Sequence, residues 1–318
     1  MIYPETVLRR AKARLEQANR AAQAAVDEIY EKYPRLREID MELQKSMAQV
    51  VAATFAGGDV ESAVREAKRR NLALQEERSW LLQANDLEES DLDANGVCPD
   101  CGGTGYIGER MCSCLRELCR QEQKKELSSL LAGKESFESF NLEYYPAETD
   151  PRLGTSPRRW MAHVFARCRE YADTFSVQSP SLLFSGGTGL GKTFLSACIA
   201  RQVAEMGFGV VYETVITVLR DFEKAKFGGE NDDTATRKYL SCDLLILDDL
   251  GTEMLTPFAQ SALYQIVNAR LIAGLPTIIS TNLSPSEISS TYLPQTTSRL
   301  LGTYELLQFY GDDIRMMK

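Results

Sequence analysis

"SLLFSGGTGLGKTFLSACIA", residues 181–200, runs an apolar strand into a glycine-rich turn and the turn into a helical repeat. Gly186–Thr193 fits the pattern G-x-x-x-x-G-K-T, and the strand–loop–helix context gives each position a mechanical task. Gly186, Gly189 and Gly191 let the backbone wrap closely round phosphates, so that its N–H groups and the helix N-terminus face the anion. Gly187, Thr188, Leu190 and Phe194 complete the predicted nucleotide-binding run. The Lys192 ammonium is expected on the β- and γ-phosphates of ATP, and the Thr193 hydroxyl on Mg²⁺. A chance glycine turn would lack the flanking strand and helix.

Outward from this loop, the apolar runs "GVVYE", "DLLILDD", "PTIIST" and "YELLQF" alternate with helical stretches. That alternation predicts an α/β domain over residues 159–318, a parallel sheet covered on both faces. "DLLILDDLG" is a buried strand that delivers Asp248 and Asp249 at its carboxyl end, where such sheets build their sites. Asp248 is expected in the Mg²⁺ shell, and Asp249 is expected to orient or deprotonate the attacking water. Aspartate is a methylene shorter than the glutamate usual in fast ATPases, which implies slow hydrolysis. "PTIISTN" ends in Asn282, placed either to reach the γ-phosphate or the water, or simply to open the turn before Ser284–Pro285.

Upstream the sequence changes style. Residues 1–90 carry helical periodicity: Leu8, Leu15, Ala22 and Val26 mark one face, then Leu36, Ile39, Leu43, Met47, Val50 and Val51 after Pro34. Gly57 and Gly58 break the pattern, Asp59 is the expected N-cap, and Val60, Val64, Ala67, Leu74 and Leu81 mark a third helix. This predicts a helical hairpin or small bundle, either a spacer or a docking arm. Residues 91–120 hold "CPDCGGTGYIGERMCSC", whose Cys98, Cys101, Cys112 and Cys114 form two short chelating turns suited to tetrahedral Zn²⁺. The tight C-x-C bite leaves Cys119 as an alternative to Cys112 or Cys114. Residues 121–158 read as a helix leading into an irregular segment with "FESFNLEYYP", on the adenine side. Cys168, Cys198 and Cys242 are expected in the core, and His163 in no catalytic role.

The chain has 318 residues, a net charge of −9 and 44% hydrophobic residues, with no run long enough to cross a bilayer and no secretory N-terminus. These features predict a cytoplasmic protein with reduced thiols and no membrane partner. Net acidity argues against unaided coating of duplex DNA. Arg220, Phe222, Lys224, Lys226 and Phe227 interleave cations and rings, as single-strand binders do; the alternative is an amphipathic helix that buries Val218, Leu219 and Phe222.

"LLFSGGTGLGKTFLSACIA", "DLLILDDLGTE", "LYQIVNARLIAGLPTIISTNLSPSEI" and "TSRLLG" together resemble the ATPase domain of DnaC/DnaI-type replicative helicase loaders and their IstB-type relatives, in the AAA+ class. The resemblance spans about residues 135–318. It implies an AAA+ P-loop NTPase domain without a full helical lid, since about thirty-six residues follow Asn282. It further implies that Arg299 acts in trans on a neighbouring subunit, so that the active form is a homo-oligomer, and that Arg315 serves as a sensor arginine. The implied partner is a replicative hexameric helicase, with single-stranded DNA as a second ligand. DnaI-like loaders set a zinc-bearing helicase-binding module before the ATPase, whereas IstB-type transposition helpers usually lack a cysteine cluster. A transposition helper and a nucleotide-gated adaptor with little hydrolysis are the alternative readings.

Overall fold

The structure, a computed structural model, describes residues 2–55, 60–93, 97–130, 135–227 and 234–317. The Gly57–Asp59 break lies outside these residues, and the side chains of Met47, Val50, Val51 and Val60 are not described either. Two compact units form, residues 12–115 and residues 1–11 with 116–318. This division is coarser than the four segments read from the sequence.

Residues 12–115 contain most of α1 (Glu5–Lys32), α2 (Pro34–Phe55), α3 (Val60–Ala84), the two-residue strands β1 (Tyr106–Ile107) and β2 (Arg110–Met111), and the start of α4 (Ser113–Leu130). Pro34 takes the first position of α2, where a missing N–H breaks no helical bond. Val26, Leu36, Leu82 and Leu92 form a small core. Charge pairs lace α2 to α3: Arg35 grips both oxygens of Glu77 at 2.7 and 2.8 Å, and Arg78 reaches Asp40 at 2.7 Å. On the third-helix face Leu74 is buried as read, but Val64 is exposed and Leu82 is covered in place of neighbouring Leu81.

The second unit runs α5 (Pro157–Asp173), β3 (Leu182–Ser185), α6 (Lys192–Glu205), β4 (Val210–Thr214), α7 (Val215–Phe227), α8 (Thr234–Ser241), β5 (Leu244–Leu250), α9 (Pro257–Ile272), β6 (Thr277–Thr281), α10 (Pro285–Thr291), α11 (Pro294–Thr303) and β7 (Glu305–Gln308). All five apolar runs are strands of one parallel sheet in the order β4-β5-β6-β3-β7. Alternate residues face two cores. Leu182, Phe184, Ile246 and Ile278 pack with α5 and α6, while Leu183, Leu245 and Ile279 pack with α7, α9 and α11. This is the P-loop α/β fold that the sequence implies. Beyond β7 the described residues carry one 3₁₀ turn, Ile314–Met317, and no helical lid.

Parallel order sets every strand's carboxyl end on one edge, which is how residues nearly a hundred positions apart come to share a site. Buried Arg270 supports that edge from below. Its guanidinium bonds the carbonyls of Tyr239, Cys242 and Pro276 and the Thr277 hydroxyl, fixing the turns that enter β5 and β6. The outer strand β4 is covered as well, since the Gln123 amide pairs with Phe208 O at 2.7 Å and Val210 N at 3.0 Å. No helix among the described residues is long and apolar enough to cross a membrane.

Candidate functional site

The phosphate loop joins β3 to α6, and its shape depends on positions that no other residue fills. Gly189 has φ +73°, and a Cβ there would run into the Asp313 carboxylate. Gly191 caps α6 at φ +90° with the Tyr145 hydroxyl against it, and that hydroxyl also donates to Leu190 O at 2.9 Å. The loop is thus clamped between the irregular segment before α5 and the turn after β7.

Lys192 is buried, and its ammonium donates to Gly186 O, Gly187 O and Asn282 Oδ1 at 2.7, 2.6 and 2.7 Å. Burial pulls its pKa down to about 8, against the opposing charges of Asp249 and Asp248. Asn282 therefore belongs to the site and does more than open a turn. A cavity of about 540 Å³ opens here, lined by Thr188–Phe194, Asp249, Thr252, Asn282 and Arg315, with Phe140, Asn141, Tyr144 and Tyr145 at its far end. Arg315 is thereby brought to the site, whereas Gly186 and Gly187, just after β3, line an adjoining cavity.

Asp248, on β5, accepts from Tyr212 at 2.8 Å, from Thr193 at 3.4 Å and from Ser280. Burial, followed by the Asp248 charge, raises the Tyr212 pKa and keeps the phenol protonated as a donor. Thr193 and Asp248 present only oxygen ligands toward a common space, a donor set that suits Mg²⁺. Between Leu247 and Leu250 the pairing of β5 with β6 slips, three steps on one strand against two on the other. This bulge re-aims Asp249, which has φ +60° and whose N–H is held by Ser280 Oγ at 3.0 Å. Burial and then neighbouring Asp248 raise its carboxyl pKa, which favours a role in moving a proton.

Arg299 is not brought to this cavity. It lies on α11, where it donates to Asn268 Oδ1 at 2.8 Å and stacks over Tyr264 at 4.8 Å. On α7 the mixed pattern divides: Phe222 packs into the core with Val218 and Leu219, so it is lost as a stacking ring. Arg220, Lys224, Lys226 and Phe227 are exposed, and Lys226 sits over the rings of Phe227 and Phe258 at 5.5 and 5.2 Å.

In the unit of residues 12–115 the four predicted thiols converge. Cys98, Cys101, Cys112 and Cys114 lie within 4.8 Å of one another, and Cys119 is outside the cluster. The Cys98–Cys112 and Cys101–Cys114 separations are 3.8 and 3.5 Å. Tetrahedral Zn²⁺ with ~2.3 Å bonds requires sulfurs about 3.8 Å apart, so the donor set fits. Burial raises the Cys101 thiol, but the Gly105 N–H and the other thiols outweigh it and bring Cys101 to about 6. The C-x-C bite works because Cys112 follows β2 while Cys114 already stands on the first turn of α4. Asn19 of α1 ties the turns down, donating to Gly103 O at 2.8 Å and accepting from Val97 N at 3.2 Å.

Cys168, Cys198 and Cys242 are buried, as expected, and His163 is exposed. Sequence reasoning missed Tyr212, Ser280, Thr252, Tyr145 and Phe140. The aromatic "FESFNLEYYP" was the one local signal for the last two.

The fold and the site define a P-loop nucleotide-binding domain. Residues 172–315 match the family described as IstB-like ATP binding protein. Among similar proteins, the replicative helicase loader DnaI of Bacillus subtilis (strain 168) is 25% identical over 181 residues, 56% of this chain and 55% of DnaI. The replicative helicase loader DnaC of Escherichia coli (strain K12) is 25% identical over 128 residues, 40% of this chain and 52% of DnaC. The chain spans about half the length of the curated relatives it matches. A crystal structure of the DnaC helicase loader covers 55% of this chain and 98% of its own at a TM-score of 0.46 and 21% identity. One of DnaI covers 57% and 91% at 0.44 and 18%. The family match and the two loader relatives support the resemblance read from the motifs.

Proposed function

We propose that the chain is an ATP-dependent loader of a replicative hexameric DNA helicase, working in the cytoplasm as a head-to-tail homo-oligomer. The observation that carries this reading is a match to the IstB-like ATP-binding family in one chain with a four-thiol cluster fit for zinc. A transposition helper has no evident use for that cluster, and a nucleotide-gated adaptor has no use for a bulge that aims Asp249 at the cavity.

In this reading ATP enters the 540 Å³ cavity with its base beside Phe140 and Tyr144. Lys192 exchanges two carbonyls for the β- and γ-phosphates, and Asn282, its other partner, remains beside the γ-phosphate. Thr193 and Asp248 would hold Mg²⁺, which would supply neutralisation of charge on the phosphate oxygens. Asp249 orients the attacking water and draws its proton, Arg315 reaches the phosphates from the turn after β7, and hydrolysis is slow and partner-stimulated. Exposed Arg220, Lys224, Lys226 and Phe227 suit single-stranded DNA, cations along phosphates and a ring against bases.

Arg299, outside its own cavity, is available to a neighbour's. Arg299→Ala should bind ATP normally and lose hydrolysis by roughly 10³-fold or more, as arginine fingers do. Asp249→Asn should also bind ATP and stall. Mixed in equal parts, the two variants should recover activity, because about a quarter of random interfaces join an intact Asp249 to an intact Arg299. A steady-state phosphate-release assay in which no mixture exceeds its components would remove the shared site from the reading.

A further inference from the structure

Both oxygens of Asp248 are already engaged before any ligand arrives. Tyr212, on β4, donates to Oδ2 at 2.8 Å, and Ser280, on β6, donates to Oδ1. The direction of the second bond is fixed, because Ser280 Oγ accepts the Asp249 N–H at 3.0 Å and so has its own proton left for Asp248. The two strands flank β5, so the carboxylate is gripped from both sides by backbone that the sheet holds rigid. Tyr212 is 6% exposed and Ser280 fully buried, which leaves little room for water to replace either bond. Thr193, at 3.4 Å, makes the loosest of the three contacts and is the one most readily given up to a cation.

We propose that Tyr212 and Ser280 are positioning residues that select the metal: by each holding one oxygen of Asp248 they disfavour ligation through both oxygens at once, so that the site favours a cation that keeps its own water shell. This rests on the nucleotide reading above. Mg²⁺ dehydrates reluctantly and retains several waters in a tight octahedron, and a carboxylate with both oxygens engaged can still accept from those waters through its remaining lone pairs. Ca²⁺ needs six to eight oxygens and draws on bidentate carboxylates, which here would orphan a buried hydroxyl. The pair therefore penalises Ca²⁺ more than Mg²⁺. Freeing one oxygen should reduce that preference.

The test measures binding of a fluorescent, non-hydrolysable ATP analogue to the full chain in EDTA, in Mg²⁺ and in Ca²⁺. In Tyr212→Phe, which keeps the ring and loses only the hydroxyl, the preference for Mg²⁺ over Ca²⁺ should fall about tenfold, the worth of one hydrogen bond to a charged group. Ser280→Ala should move the ratio in the same direction. Affinity in EDTA should stay within about twofold of wild type, since neither residue faces the nucleotide; a packing defect alone would lower binding in all three conditions alike. A wild type that responds to metal while both variants keep its Mg²⁺ to Ca²⁺ ratio overturns the selection role and leaves the nucleotide site standing. A wild type that binds no nucleotide in any metal overturns the nucleotide reading and this inference with it.

Discussion

Replacing Lys192 by alanine should leave a folded protein that no longer captures ATP. The ammonium is buried and held by three oxygens, from Gly186, Gly187 and Asn282, so its position is set before any ligand arrives. Phosphates then meet a preorganised cation with its desolvation already settled. Hydrogen bonds to charged groups are worth roughly 1.5–3 kcal/mol each, so losing the cation should weaken ATP by about 100-fold or more, read by calorimetry or by a fluorescent nucleotide. The fold should tolerate the change. Taking a charge out of a buried site removes a desolvation cost, and Gly186 and Gly187 line an adjoining cavity open to water, which can serve their vacated carbonyls. The melting midpoint should therefore move little. Binding within threefold of wild type would mean that phosphates do not lie where Lys192 points, and the whole placement of the site would go with it.

How much of this was legible in advance depends on the range over which each signal acts. The five strands could be read because each is a short apolar run ended by glycine, acid or turn formers, information local to ten residues. Asp248 was legible for the same reason. Tyr212 and Ser280 were not, because their meaning lies in a sheet order that sets β4 and β6 on either side of β5. A tyrosine in "GVVYE" looks like any strand aromatic until its hydroxyl is found on Asp248. On α7 the interleaved pattern was ambiguous because one residue, Phe222, belongs to the core and its neighbours do not. On α3 the seven-residue steps ran through Leu81, yet neighbouring Leu82 is the better covered, because Val26, Leu36 and Leu92 close over that side. Spacing gives a face to within a residue; the partner decides which residue is centred on it. The bulge that re-aims Asp249 was hidden most completely, since a bulge is a property of pairing and one strand's sequence does not reveal it.

Purified protein should contain about one zinc per chain, and removing it should unfold the cysteine turns and abolish helicase capture while sparing ATP binding. Residues 97–112 bury little apolar surface: Val97 and Ile107 are exposed, and the paired strands are two residues each. Two hydrogen bonds with Asn19, one donated and one accepted, and the packing of Leu15 and Leu115 beside Gly105 are too few to order four glycines and two tight turns. Four thiolates on one Zn²⁺ can, since structural sites supply about 10–16 kcal/mol of apparent binding energy, as much as the whole stability of an ordinary domain. Cys98→Ser with Cys101→Ser, or a strong chelator, should therefore raise amide exchange across residues 97–115 and in the α1 turns around Asn19. ATP binding should persist within about twofold, because neither core of the nucleotide-binding unit draws a residue from 12–115. Capture of a purified hexameric replicative helicase should fall below detection. The two halves of this result fail separately. A metal analysis without zinc would dismiss the cluster as a structural site, whereas a double mutant that loses zinc yet holds the helicase at full strength would place the docking surface elsewhere and reopen the adaptor and transposition readings.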